Sequence, residues 1–536
     1  MEVCGMKVAC RYEAIGDAES RTAGERVVAW LREYAGKRVN SRLIDERRTV
    51  PPYVANDLAR QGVFGVQVET RYGGLALRSR EIARILEQAA AIDLALGTWI
   101  LVCLYPGVRP IATFAQDALK QEALPLLASG SLYAGFGQTE PGAGTNFAGM
   151  AATAVAQPGG GWRLTGDKIW IGNSSWAGLV TVIAQEVDAA GKKKGLIGLA
   201  VRPEQDGVVI GRELLSLGMR GMVQGELHFR DVRVAPEALL GERGKGMDVA
   251  VDSMSWSRFA ISATSIGATK RAAQLMLRFG TRRQIATGRL IEHPVARSYL
   301  GETAAQAAVS DGFLQRIAAI LDAGEGVSLE LWAASKLMAT EFAWLAADRL
   351  VQVLGSRGYD ESNGAPQLLR DARVGRIFEG TSEALVAYLG SQALAARSDL
   401  ADSLRGPLGA DTVADRLDAA VAAMRKREGA SLRTWQVALA GWAAMWAIAA
   451  GVAAQDAERS NTAQAARTAE WAAQRFAESC ARATAAGPRE RALFEPKDAE
   501  EAVAGFARTI GDVDLTLAGE KRDFDPLLLR EPPRDA

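Results

Sequence analysis

Imidazole is nearly absent from this chain: His228 and His293 are the only histidines in 536 residues. That scarcity argues against a Ser/His/Asp triad and against a His-rich metal site. Each histidine reads as a surface or strand residue, and no bound metal is expected. Thiols are also few, at Cys4, Cys10, Cys103 and Cys480, and their spacing suits neither a zinc knuckle nor a disulfide framework. Charge of one sign is not in excess, since Lys plus Arg and Asp plus Glu both number 63. No global field therefore favours nucleic acid or an anionic membrane. Glu2, Lys7, Arg11 and Glu13 interrupt the first residues, so no signal-peptide core fits there, and a reducing cytoplasm is the expected compartment. With imidazole scarce, proton transfer falls to carboxylates.

The chain has length for roughly three or four structural units. Its 48% apolar content is ordinary for a soluble globular protein. To about Leu132 the pattern is helical, and between Glu81 and Ala91 the residues Ile82, Ile85 and Leu86 share one face. From Tyr133 to about Gly246 glycine and β-branched residues rise. Turn-rich pieces, Gln157 to Gly161 and Ala189 to Gly195, break extended runs as hairpin loops do. Helical periodicity returns at Met247 and continues, Ala-rich, through Arg397 to the last residue.

Val437 to Ala454 holds only apolar residues and glycine, a length at the lower edge of a membrane span. It is mostly alanine, its tryptophans (Trp435, Trp442, Trp446) are scattered, and Arg433, Asp456, Glu458 and Arg459 flank it. A buried helix is the expectation, with membrane association as the alternative.

The densest chemistry lies at Leu369 to Glu383, LRDARVGRIFEGTSE. Arg370, Arg373 and Arg376 precede a lone carboxylate, Glu379, flanked by Phe378 and Gly380. Glycine lets backbone approach a ligand where a Cβ would clash. A carboxylate beside an aromatic ring is partly desolvated, which raises its pKa toward that of a usable base. Taken alone, the stretch also describes a charged helix end followed by a turn.

A second segment, Tyr133 to Asn146 (YAGFGQTEPGAGTN), changes that balance. With WRLTGDKIWIGN from Trp162, LGMRG from Leu217, GERGKG from Gly241 and RIFEGT from Arg376, it resembles, in order, the blocks of the acyl-CoA dehydrogenase family of flavoproteins. The resemblance runs from about Gly62 to about Leu389. The long C-terminal section and the RIFEGT variant are similar to the very-long-chain branch. The expected fold class is α+β, mostly α. It comprises an N-terminal helical domain (1–132), a middle β-barrel-like domain (133–246), a helical bundle domain (247–396) and an extra C-terminal helical domain (397–536).

The resemblance implies FAD as cofactor and α,β-dehydrogenation of an acyl thioester, carried by coenzyme A or an acyl carrier protein, to the trans-2-enoyl product. Glu379 occupies the family's base position. Phe136, Gln138, Thr139, Gly144, Thr145, Trp170 and Gly172 match flavin-binding positions. Arg282, Gln352, Gly355 and Thr381 match positions that reach the adenosine half, with Arg282 and Gln352 acting across a subunit interface. A homo-oligomer, with a dimer favoured, is therefore implied, as is an electron-transfer flavoprotein as electron acceptor. Arg258, Thr145 and Gly380 match substrate-side positions. A flavin oxidase or monooxygenase on the same fold, and a non-catalytic assembly protein, are the competing functions.

The sequence departs from the family at several points. Gly172 stands where Thr or Ser is usual, and is expected to leave a small void beside the flavin. Gln138, Asn146, Ser255, Ile285-Ala286, Ser362 and Gln367 also differ from the usual residues. Thr98-Trp99-Ile100 carries bulk that would shorten an acyl pocket, while the very-long-chain resemblance points the other way.

Overall fold

The computed structural model describes residues 6–188, 190–395, 399–425, 430–485 and 496–511. Cys4, Ala189 and the expected boundary at 396/397 lie outside them. Residues 485–536 separate as a second compact unit, in which helices Pro496–Ala504 and Ala507–Ile510 are described. All other elements belong to the first unit.

The N-terminal helices bury the faces that their periodicity sets. Helix α1 (Asp17–Arg38) buries Val27, Val28 and Leu31. Helix α2 (Ser79–Ile92) buries Ile82, Ile85 and Leu86 completely. Helix α3 (Leu94–Val102) has no polar face, as befits an element buried all round. The Asp93 side chain caps it by accepting from the Leu96 N–H. It runs on into a π-helical turn, Cys103–Val108, that contains Pro106. Proline has no N–H to donate, so a widened turn there costs no regular helical bond.

The next section is a sheet. Its strands are β2 (Ala134–Gly137), β3 (Thr153–Ala156), β4 (Trp162–Gly172), β5 (Leu179–Val187), β6 (Lys193–Val201), β7 (Val208–Glu213), β8 (Gln224–Val234) and β9 (Leu239–Leu240). The order is β7-β8-β4-β3-β5-β6-β9, with β2 also paired to β5. The ladders are antiparallel except that β2 and β3 run parallel to β5. Leu164, Val182, Leu199, Leu227 and Val232 fall in one apolar cluster, so the sheet curls around an inner core. A short N-terminal strand, β1 (Lys7–Val8), pairs instead with Val327–Ser328.

Three long helices follow: α4 (Gly246–Gly280), α5 (Pro294–Asp322) and α6 (Leu329–Leu354). Helices α4 and α6 run parallel. Ser335 donates to Ser262 at one level, and Ala272 and Met276 pack with Ala346 and Leu350 further on. Helix α7 (Gly364–Val374) and helix α8 (Ser382–Leu394) are separated by the Glu379 loop.

Helices α9 (Asp411–Arg425), α10 (Ala430–Ser460) and α11 (Ala463–Ala485) complete this unit. Helix α10 carries the long apolar run, and it crosses α8 at two glycines. A Cβ on Gly390 would stand 1.8 Å from the Val437 carbonyl oxygen, and one on Gly441 would stand 2.0 Å from that of Val386. Phe342, Trp446 and Trp471 form an aromatic trio across α6, α10 and α11. Arg316 on α5 pairs with Asp456 at 2.7 Å. Among the described residues, two helical stretches, Leu94–Phe114 and Thr434–Ser460, are long and apolar enough to cross a membrane, and their apolar windows are 100% and 72% buried within the protein. The expected buried helix is therefore observed at Val437 to Ala454, its apolar surface spent on protein contacts.

Candidate active site

The loop between α7 and α8 is held in an unusual shape. The Val374 carbonyl accepts from the N–H groups of Ile377 and Phe378, which closes α7. Glu379 then takes φ 54° and Gly380 φ 96°. Left-handed backbone is strained for glutamate and ordinary for glycine, and such strain persists only where surrounding contacts impose it. Five hydrogen bonds do so. Glu341 on α6 accepts from Arg376 at 2.6 Å and from the Ser382 hydroxyl at 2.5 Å, gathering both ends of the loop. Arg258 on α4 donates to the Glu379 carbonyl at 3.1 Å. Lys336 on α6 donates to the Gly380 carbonyl at 2.7 Å. The Thr381 hydroxyl caps α8 by accepting from the Ala384 N–H.

These anchors leave the reactive groups unused. The Glu379 carboxylate accepts no hydrogen bond from the described residues, and the N–H groups of Glu379 and Gly380 donate to none. Desolvation pushes the Glu379 carboxyl up to about 7, against the downward pull of Arg258 and Lys336. Burial, reinforced by Arg258, pushes the Lys336 ammonium down to about 7. Arg258 is also lowered by burial, although the Glu379 charge opposes the change. A base poised near neutrality, beside free N–H donors, is equipped to take a proton while negative charge develops nearby.

The sheet brings a second group of residues to the same turn of α4. Beyond β2, the Gln138 amide reaches the Met254 sulfur at 3.7 Å. Met254 lies one helical turn before Arg258. Phe136 is half-buried on β2. The Thr139 carbonyl accepts from Ile169. Behind the turn that follows, fully buried Lys168 donates to Glu140 at 2.6 Å and to the Gln138 carbonyl at 3.0 Å. The Glu140 carboxylate also accepts from the N–H groups of Ala151 and Ala152. That buried pair braces the turn, on which Gly144 and Thr145 are exposed. Trp170 has φ 55° and is 56% exposed, at an irregularity in the β4–β8 ladder. An indole held open to solvent on strained backbone invites a flat apolar ligand.

Gly172 departs from expectation. A Cβ there would stand 2.9 Å from Val102 Cγ1, at the end of α3, so the expected void is already filled. Val102 is the last residue of α3, just before the π-helical turn. Next to Gly172, Asn173 (φ 61°) accepts from the Trp99 indole at 3.0 Å and donates toward Cys103. Trp99 itself is enclosed by Phe64, Tyr133 and Trp176.

Other residues singled out from the sequence lie elsewhere. Arg282, Gln352 and Gly355 are exposed, at or just beyond the C-terminal ends of the parallel helices α4 and α6. Gln352 is 16 residues past Lys336 along α6, roughly 24 Å at 1.5 Å per residue. Within one chain these three do not join the Glu379 loop. His228 sits half-buried on β8, bonded to Asp167 at 2.6 Å, and His293 is exposed. Lys336 and Val102 were not legible as site residues. The one signal for Lys336 was a lone cation inside the buried run Leu331 to Thr340, where lysine is rare.

Three family models match in chain order: "Acyl-CoA dehydrogenase, N-terminal domain" at residues 22–131, "middle domain" at 135–232 and "C-terminal domain" at 244–394. The very long-chain specific acyl-CoA dehydrogenase of Rattus norvegicus mitochondria is 31% identical over 362 residues, covering 66% of this chain and 55% of the relative. The chain thus spans about half the length of the curated relatives it matches. Among solved structures, butyryl-CoA dehydrogenase from Megasphaera elsdenii aligns with TM-score 0.66 and 23% identity, over 72% of this chain and 100% of that one. An acyl-CoA dehydrogenase from Bacillus anthracis, complexed with FAD, aligns with TM-score 0.71 and 20% identity, over 88% and 86%. The three matched models cover the helices, the sheet and the Glu379 loop in sequence, and the chain belongs to the acyl-CoA dehydrogenase family.

Proposed function

We propose that this chain is an FAD-dependent acyl-thioester dehydrogenase with Glu379 as its base. The observation that carries the reading is a left-handed glutamate whose carboxylate accepts no hydrogen bond from the described residues, and desolvation pushes that carboxyl up to about 7. The residues present fit FAD. Trp170 offers an exposed ring, Gly144 and Thr145 offer exposed backbone, and the buried Gln138 Oε1 has no partner among the described residues. Phe136, Gln138, Thr139, Gly144, Thr145, Trp170, Gly172 and Thr381 would hold the cofactor. Bound FAD supplies the hydride-accepting redox chemistry.

Glu379 takes the α-proton of the thioester. The free N–H groups of Glu379 and Gly380 face the build-up of charge on its carbonyl oxygen. Arg258 keeps the base loop in place and lends positive charge to the substrate side. The substrate is an acyl group on coenzyme A or an acyl carrier protein. Electrons pass to an electron-transfer flavoprotein. Arg282 and Gln352 serve the FAD of a second subunit in a homodimer, which agrees with their exposure far from Glu379, and Gly355 serves the adenosine half of FAD. The cytoplasm is the proposed compartment.

The test is absorbance of the purified protein, followed by anaerobic addition of acyl-CoA or acyl carrier protein thioester. Bleaching of bound flavin is expected. Flavin that bleaches and then reoxidises rapidly in air at every turnover would favour the oxidase reading. Absence of both flavin and bleaching would leave the assembly-protein reading standing. Arg282→Ala and Gln352→Ala should each weaken FAD retention. Undiminished retention in both variants would overturn the cross-subunit assignment.

A further inference from the structure

We infer that Lys336 is a positioning residue for the proposed base, holding the Gly380 peptide and placing a removable positive charge beside Glu379. This rests on the assignment of Glu379 made above.

Lys336 is 0% exposed, in the middle of α6. Its sole hydrogen-bond acceptor among the described residues is the Gly380 carbonyl at 2.7 Å. The preceding carbonyl, that of Glu379, is held by Arg258 from α4. A trans peptide is planar, so pinning its oxygen orients the whole unit. The two pins therefore fix the peptide planes on either side of Gly380, and with them φ and ψ of Gly380. The Gly380 N–H lies between the two pinned carbonyls and donates to none of the described residues.

A neutral donor would satisfy one carbonyl at far lower desolvation cost than a buried ammonium. The charge therefore has a consequence of its own. The charged groups facing Lys336 are Arg258 from α4, Glu379 from the loop, Glu341 from α6 itself and Glu383 from the start of α8. Lysine charge pulls the Glu379 carboxyl down, opposing the desolvation that raises it. Both groups titrate close to neutrality, so their protons are lost as a coupled pair. An amine still donates to Gly380 when neutral, so geometry survives the loss of charge.

The experiment compares Lys336→Met, Lys336→Gln and Glu379→Gln with wild type, all as FAD-loaded full-length protein. The rate of anaerobic flavin bleaching by acyl-CoA is followed from pH 5.5 to 9, alongside the pH dependence of melting. Lys336→Met should move the rising limb upward by about one pH unit, so bleaching slows roughly tenfold at pH 6.5 and recovers in part by pH 8.5. Lys336→Gln, a donor without charge, should show the same displaced limb with the high-pH rate restored. Melting gives a readout independent of turnover. The folded-state pKa of Lys336 lies below its unfolded value, so the unfolded chain binds more protons between about 7 and 10.5. Wild-type stability should rise with pH across that window, and the rise should shrink in both variants.

Superimposable pH profiles, or a loss uniform at every pH that tracks melting alone, would overturn the inference. If Lys336→Met does not fold, Lys336→Gln decides the charge effect by the same displacement. Glu379→Gln separates the two claims. Wild-type bleaching by it removes the base assignment, whereas its failure to bleach together with unshifted Lys336 profiles removes only the role of Lys336.

Discussion

Asp371 and Glu379 lie eight residues apart on one segment. Both are carboxyls raised chiefly by desolvation, to about 8 and about 7 respectively. Their surroundings are opposite. Asp371 is fully enclosed and accepts the Met219 N–H at 2.5 Å, which ties α7 to the loop before β8. Its neighbours Asp45 and Asp93 are likewise engaged. Asp45 pairs with Arg370 and Arg220, and Asp93 accepts from Ser41, Leu96 and Gln367. A surface cavity of about 670 Å³ borders this cluster, with Asp45 and Gln367 in its lining, and Glu379 does not line it. Glu379, by contrast, has its backbone held by cations and its carboxylate left without a partner among the described residues. A perturbed pKa records burial. What marks a site for chemistry is a perturbed group whose bonding capacity the fold has left open.

The sharpest way to break this contrast is Glu379→Gln against Asp371→Asn. The first should keep FAD yet slow flavin bleaching roughly a hundred- to ten-thousandfold. The second should bleach near the wild-type rate. Near wild-type bleaching by Glu379→Gln would show that the open carboxylate is not the base.

Truncation after Ser398 asks whether the open site depends on helices remote from it. It removes α10, exposing Val386, Gly390 and the apolar face of α8 directly beyond the base loop. The truncated chain should aggregate, while the intact chain should be soluble without detergent. Recovery of the intact chain mainly in the membrane fraction would reverse the reading of α10 as a protein-packed helix.

Gly172→Thr tests whether filled space is decisive at the other side of the site. Overpacking against Val102 should cost about 1–3 kcal/mol, read as a fall in melting temperature, and Val102→Ala should relieve it in the double variant. If the single variant instead leaves melting unchanged and shifts flavin potential, the hydroxyl fits and the clash is not limiting.

The smallest effect is in the pH dependence of Asp371→Asn. The native carboxyl holds its proton up to about 8, and the unfolded one releases it near 3.8. Wild-type stability contributed by this group is present at low pH and is lost as pH rises across that window. Asparagine does not titrate, so the melting difference should shift in its favour by about 1–3 °C between pH 5 and pH 8. A constant difference would mean that Asp371 is ionised in the folded protein.

Much of the architecture is legible because its cause is local. Ile82, Ile85 and Leu86 are spaced for one helical face and are buried on it. The alanine-rich run from Val437 to Ala454 is poor in Leu, Ile and Phe and is packed in protein. The ordered motifs point to the family, and the residues around Glu379 mark a carboxylate set beside a glycine. Periodicity and motif order survive in one dimension because neighbours along the chain determine them.

Contacts between distant segments do not survive there. Arg258 and Glu379 are separated by 121 residues and Lys336 and Gly380 by 44, yet those bonds set the base loop. Val102, on α3, fills the space at Gly172, on β4. Asp371 and Glu379 look alike as acidic residues in an arginine-rich stretch. Only packing gives the carboxyl of Asp371 an N–H donor and leaves that of Glu379 without one among the described residues, because desolvation and hydrogen bonding depend on every group within a few ångströms, whatever its place in the chain.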